Sequence, residues 1–255
     1  MNRPIVCHAD SKLATALAGG WNDLVFPAEN GILLKYQLYI PENFDRAKNY
    51  PLIFYMHSAG VRCDDNSQIY TGEAKFLRNL ETGDYKDGCL VLSPCCPKTD
   101  KWVDVDRWNC LEFDADKLPQ SRYMAAAVEL FADVCAHLPV DKNRLYLYGM
   151  SMGGFAVWDL LARYPHTFAA AAVAAGCGAP RAAKNMTDVA IWIFHGTKDG
   201  AVPYESALRM AQALTDAGKT DFRLTSFEGA GHGIWALTAD TAGLYDWMFA
   251  QKRSR

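Results

Sequence analysis

The 255-residue sequence has no run of basic residues, and its 26 Lys and Arg are outnumbered by 29 Asp and Glu, for a formal charge of −3. Nothing in it tracks a phosphate backbone, which makes nucleic acid a poor partner. No apolar stretch reaches the ~20 residues of a membrane-spanning helix, and His8, Asp10 and Lys12 interrupt the N-terminal segment before it attains signal-peptide character. The expectation is a soluble, cytoplasmic protein with no membrane partner, or a secreted or periplasmic one if an export signal has been removed. The eight cysteines (Cys7, Cys63, Cys89, Cys95, Cys96, Cys110, Cys135, Cys177) contain no C-x-x-C pair, so neither a zinc site nor any other metal or cofactor is expected. They are too few for a disulfide scaffold. Reduced thiols are the expectation, with structural bridges the lesser alternative. No Pro/Gly/Ser-rich linker, internal repeat or low-complexity tract divides the chain. That suggests one domain over 1–255, with 1–25 an N-terminal extension of unassigned structure.

What the sequence does have is apolar mass: 50% hydrophobic residues, 12% aromatic, seven of them Trp. A domain of this size buries roughly three quarters of its unfolded surface and needs no staple. Apolar runs at Ile32–Ile40, Pro51–His57, Cys89–Ser93, Arg144–Gly149, Ala169–Ala174, Val189–His195 and 222–227 read as strands. The run 51–57 is continuous, the pattern of a strand buried on both faces. Helical spacing covers Ser121–Leu138, Phe155–Arg163, 204–217 and 236–251. Strands alternating with helices predict an α/β fold with a mostly parallel central sheet covered on both faces.

Gly149-Met-Ser151-Met-Gly153 follows a predicted strand and opens a predicted helix. This is the setting of a nucleophile elbow, in which a sharp turn exposes a serine hydroxyl. Such a hydroxyl needs a base to take its proton and an acid to orient that base. In this architecture the order is Ser, acid, His, with the last two on loops after later strands. Asp199 follows the strand 189–195, and His232 lies in the Gly-rich loop after 222–227. Rivals are weaker. Asp159 sits inside the helix and reads as a solvated or capping group, Asp188 precedes its strand, and 165–187 contains no Asp or Glu. His195 ends a buried strand and reads as a packed, hydrogen-bonded histidine, while His8, His137 and His166 fall outside strand-end loops. An oxyanion hole would take the N–H of Met152 and one from His57-Ser58-Ala59-Gly60, with Ala59 first choice, Ser58 second, and His57 structural.

These residues resemble the compact α/β-hydrolase serine esterases that include polyhydroxybutyrate-depolymerase-like enzymes and the feruloyl and acetyl-xylan esterases of carbohydrate esterase family 1. Some relatives are labelled predicted peptidases of the prolyl-oligopeptidase group. The similarity runs from Tyr36-Gln-Leu-Tyr-Ile-Pro41 to Leu244-Tyr-Asp-Trp247. It includes Ser93-Pro-Cys-Cys-Pro97 with Trp102, Gly149–Gly154, Trp158–Pro165 and Phe194-His-Gly-Thr-Lys-Asp199. Ser58 departs from the family's usual Gly after the His, and Val61-Arg62 stands where an acidic residue followed by Arg is common. Dehalogenases and epoxide hydrolases place Asp at the elbow and dienelactone hydrolases place Cys, so Ser151 excludes both chemistries in their usual form.

Only the segment 175–188 separates two adjacent strands where lipases insert a cap, so no large cap domain is expected and the site should be open. The loop 94–120 carries Trp102 and Trp108 among charged residues, and Trp235 lies three residues after His232. These three Trp, with Ser58, are candidate substrate contacts, since flat aromatics among hydrogen-bonding groups suit sugar rings or phenolic acids. Packing of the loops onto the body is the equal alternative for each Trp. The resemblance implies hydrolysis of acetyl or hydroxycinnamoyl esters on plant polysaccharide fragments, a small-molecule or oligosaccharide ester being the partner. A small serine peptidase and a catalytically silent binding protein are the other two functions considered.

Overall fold

The computed structural model describes residues 17–71, 74–85 and 88–253. His8, Cys7 and most of the N-terminal extension lie outside the described residues. Among those described, eight strands form one sheet: β1 (Gly20–Pro27), β2 (Leu33–Ile40), β3 (Tyr50–Met56), β4 (Leu90–Pro94), β5 (Val140–Met150), β6 (Ala170–Ala174), β7 (Ala190–Gly196) and β8 (Arg223–Phe227). Their spatial order is β1-β2-β4-β3-β5-β6-β7-β8. The first two pairings, β1 with β2 and β2 with β4, are antiparallel, and every pairing from β4 to β8 is parallel. This is the arrangement of the α/β-hydrolase fold.

Among the described residues six α-helices cover the sheet: α1 (Lys75–Thr82), α2 (Arg122–His137), α3 (Met152–Arg163), α4 (Tyr204–Asp216), α5 (Trp235–Ala239) and α6 (Leu244–Ala250). The alternation of β3 shows how. Leu52, Phe54 and Met56 join the core under α2, α3 and α4, whereas Ile53 and Tyr55 join the core with Phe76 of α1 and Met248 of α6. Successive strand side chains point to opposite faces, so a strand with helices on both sides must be apolar throughout. Helix α2 begins where Ser121 Oγ accepts the Met124 N–H at 3.1 Å, a side-chain N-cap ahead of the apolar stripe.

Several expectations need correction. Strand β1 lies partly in the segment 1–25, whose structure the sequence left unassigned, and Gln37 Nε2 donates across the β1–β2 pair to Asp23 at 2.8 Å. Helix α1, which the sequence spacing did not predict, forms between β3 and β4, burying Phe76, Leu77 and Leu80. The single helix expected over 236–251 is two, because Gly243 adopts φ 76, outside helical space. Asp159 is not solvated: it is buried and bonded to Arg163 Nε at 2.7 Å, and that arginine also donates to Leu118 O. Burial pushes the Asp159 carboxyl up to about 6 against the attraction of Arg163.

Candidate active site

The turn between β5 and α3 places Ser151 at φ 51, ψ −118, a backbone region sparsely populated by residues with a Cβ. Such strain costs on the order of 1–3 kcal/mol and persists only where the surroundings impose it. The surroundings here are glycines. A Cβ on Gly153 would lie 1.8 Å from Met56 O, and one on Gly149 would lie 2.2 Å from Gly153 O. Only without those side chains can α3 begin against the end of β3. The Ser151 N–H donates to Ala174 O at 2.9 Å, which ties the turn to β6.

His232 Nε2 lies 2.8 Å from Ser151 Oγ, and its Nδ1 lies 2.7 Å from Asp199 Oδ2. The carboxylate can only accept, so Nδ1 carries the proton and Nε2 is left to accept from the serine hydroxyl. Asp199 has no exposed side-chain surface. Its Oδ1 accepts the N–H groups of Ala201 and Val202, each at 2.9 Å. Burial alone would raise the Asp199 carboxyl, but the donors around it outweigh that effect and hold it well below the usual carboxylate range.

One of those donors went unassigned in the sequence. His195 Nε2 sits 3.2 Å from Asp199 Oδ2 and 2.9 Å from Val202 O. Both neighbours are acceptors, so Nε2 bears its proton, while buried Nδ1 has no partner among the described residues. His195 is packed and hydrogen-bonded as expected, and its partner is the acid itself. Four residues separate it from Asp199, the one sequence signal that links them. The acid and histidine loops are joined further by Lys198 N to Ala230 O and Gly229 N to Thr197 Oγ1, both 2.9 Å.

The loop after β3 is built differently. His57 is fully buried, donates from Nδ1 to Ser58 O at 2.8 Å, and accepts the Cys96 N–H at Nε2, 2.9 Å. Burial lowers its pKa to about 4, opposed by the Ser58 bond and helped by nearby Arg62. Ser58 Oγ accepts the Gly60 N–H at 3.2 Å, and Arg62 Nε donates to Ala59 O at 3.1 Å. Ala59 opens a short 3-10 helix and Met152 opens α3. First-turn N–H groups have no acceptor inside their own helix.

The aromatic candidates separate. Trp102 is wholly buried and its Nε1 donates to His57 O at 3.2 Å, so it offers no face to a ligand: the loop folds inward there and the ring fills the core. Ser58 is 2% exposed, its hydroxyl engaged in the turn. Both are corrected to packing roles. Trp235 is half-buried, edge-on to His232 with ring centroids 5.2 Å apart. Trp108 is half-buried, edge-on to Phe155 at 5.4 Å, with Lys101 Nζ 5.1 Å above its ring. A cleft of about 370 Å³ lies in the same loop, lined by Asp104, Asp106, Arg107, Glu112 and Lys117 among others, and by none of Ser151, Asp199 and His232.

A strained elbow serine, a histidine and an over-bonded carboxylate at the ends of β5, β8 and β7 of this sheet define an α/β-hydrolase. More narrowly, the chain belongs to the dienelactone hydrolase family, whose model matches residues 108–246. Ser151 at the elbow, which the sequence set apart from the Cys chemistry of dienelactone hydrolases, does not keep the chain out of that family. No curated protein matches the chain. Among solved structures, a thermostable esterase is similar with TM-score 0.81 and 26% identity over 91% of this chain and 63% of that one. A ferulic acid esterase has TM-score 0.68 and 13% identity, covering 91% and 99%. Dipeptidyl peptidase 4 of Porphyromonas gingivalis has TM-score 0.65 and 17% identity, covering 92% of this chain and 36% of its own. The chain thus spans less than two thirds of the thermostable esterase and about a third of the peptidase.

Proposed function

We propose that the protein hydrolyses carboxylic esters through an acyl-Ser151 intermediate, with acetyl or hydroxycinnamoyl esters of plant polysaccharide fragments as substrates. The observation that carries this is the unbroken hydrogen-bonded line from Ser151 Oγ through His232 to Asp199. Ser151 Oγ attacks the ester carbonyl as His232 Nε2 takes its proton. Asp199 holds the imidazole in the required tautomer and stabilises the cation that forms. The Met152 and Ala59 N–H groups receive the oxyanion. His232 then returns the proton to the leaving alcohol, and water, deprotonated by the same nitrogen, releases the acid.

Trp235 stands edge-on to the base His232, and Trp108 edge-on to Phe155 in the first turns of α3, which supports reading both rings as substrate contacts. Their flat faces favour an aromatic acyl group or a sugar ring. The connection between β6 and β7 holds only a 3-10 helix, Pro180–Met186, which leaves room for a bulky alcohol. Similarity to a thermostable esterase and a ferulic acid esterase supports the same class.

Ser151→Ala should lower p-nitrophenyl acetate turnover on the order of 10⁶-fold while the circular dichroism spectrum stays unchanged. Retained turnover would end the assignment. A panel of acetyl, butyryl and feruloyl esters, with and without xylose or arabinose, then reads the substrate class. An alanine p-nitroanilide beside the panel tests for amide cleavage.

A further inference from the structure

All seven described cysteines are free thiols, and two stand closer than thiols can rest. Cys63 Sγ and Cys95 Sγ are 2.8 Å apart, inside van der Waals contact and above the covalent ~2.05 Å of a disulfide. For contrast, Cys110 Sγ and Cys177 Sγ keep 3.5 Å. The backbone around the close pair is already aligned. Cys63 N donates to Cys96 O at 3.3 Å, and Cys95 N is fixed to Lys35 O of β2 at 2.8 Å. The two thiols are also unlike each other. The hydrogen bond from Cys95 pulls the Cys63 thiol down to about 6 against its burial, and the same bond with burial pushes Cys95 far up. Cys63 Sγ also donates to Gln68 Oε1 at 3.1 Å and Cys95 Sγ to Cys63 O at 2.8 Å, so each thiol keeps an acceptor until the site opens, and Cys63 is the one that ionises more readily to begin an exchange.

We propose that Cys63 and Cys95 are a disulfide-forming pair, a modification site whose oxidation fastens the loop presenting Ala59 to the end of β4. The oxidant is a disulfide, low-molecular-weight or protein-borne. Cys63 thiolate attacks one of its sulfurs and expels the other as a thiolate. Cys95, losing its proton to solvent, attacks the Cys63 sulfur of the mixed disulfide and expels the second. The two cysteines give up two electrons and two protons in all, and the external disulfide becomes two thiols. Both residues are under a tenth exposed, 7% for Cys63 and 3% for Cys95, so exchange needs folding or local opening. The bond would close a loop of about 30 residues running through α1 and β4. Constraining such a loop in the unfolded chain stabilises the folded one. Any effect on turnover rests on the esterase reading above; the bond itself does not.

The test uses the full chain held with oxidised glutathione in sub-denaturing urea, quenched in acid and alkylated before peptide mapping. The expected result is a cross-linked peptide holding Cys63 and Cys95, lighter by two hydrogens than its reduced parts and absent from Cys63→Ser. The oxidised protein should melt several degrees above the reduced one. Dithiothreitol should reverse that shift, and the Cys63→Ser/Cys95→Ser chain should lack it. Recovery of Cys63 and Cys95 fully alkylated, or joined to other cysteines, would overturn the pair. A cross-link with no change in melting would overturn the fastening. Neither outcome depends on whether Ser151 turns over an ester, which is read separately on p-nitrophenyl acetate.

Discussion

The two ends of the candidate site, 196–202 with 228–232 on one side and 57–63 with 95–102 on the other, are held by opposite means. At the first, side chains and backbone donors converge on a side chain: Asp199 gathers His232, His195 and two N–H groups. At the second, side chains are spent on backbone: His57, Ser58, Arg62 and Trp102 each bond a main-chain group of the loop or its neighbours. The difference follows from what each end must present. A proton relay requires an oriented imidazole and a charged carboxylate, whereas an oxyanion site requires bare N–H groups on a backbone that cannot turn away.

The sharpest way to break the first end is Asp199→Asn, which offers His232 a donor in place of an acceptor and favours the wrong tautomer. Turnover of p-nitrophenyl acetate should fall about 10⁴-fold with the fold retained. Separate pH windows should divide the two ends. His57 has its folded pKa lowered to about 4, so the unfolded chain binds its proton first as acid is added. The stability this neutral histidine supports is present above pH ~6.5 and is lost as pH falls toward 4, by about 3.5 kcal/mol at roughly 1.4 kcal/mol per unit. Asp199 is depressed, so its contribution is present above the unfolded carboxylate value near ~3.9 and is lost only below it. Because Asp159, raised to about 6, adds stability as pH falls over much of the His57 range, each window is read as a difference. The gap in urea midpoint between the wild type and His57→Gln should change from pH 7 to 4, and that between the wild type and Asp199→Asn only at lower pH; gaps that stay constant, or change over one shared range, would refute the division.

Smaller changes refine the picture. His195→Phe keeps the ring volume but leaves Asp199 one donor short, and kcat should drop about tenfold with KM unchanged. Trp102→Phe removes the bond to His57 O and part of a buried ring, so stability from urea unfolding should fall by about 1 kcal/mol for the bond and more for the space left, with less effect on kcat than His195→Phe. A larger kcat loss from Trp102→Phe would mean the ring does more than hold the loop.

The parts legible in the sequence were those with a strong period or a fixed order. The apolar run 51–57 could only be a central strand, and Ser151, Asp199 and His232 fall after β5, β7 and β8, in the order this architecture uses. Strand β1 was not legible, because an edge strand with Asn22 and Asp23 exposes one rim and shows little alternation. Helix α1 is too short and polar, three buried residues in eight, to stand out from a loop. Trp102 misled for a physical reason: its neighbours Lys101, Asp104, Asp106 and Arg107 are charged, yet the chain turns the indole inward toward a backbone acceptor that lies 45 positions earlier. Sequence patterning senses neighbours along the chain, and that bond is made across it.

The contact of Gly153 with Met56 O joins the start of α3 to the end of β3 with no side chain between them. It therefore sets where the reacting atom stands without regard to which atom it is. A cysteine in place of Ser151 would hold its sulfur close to the point that the hydroxyl oxygen holds now. The placement of that atom, whichever element it is, is thus guarded by a missing methyl group.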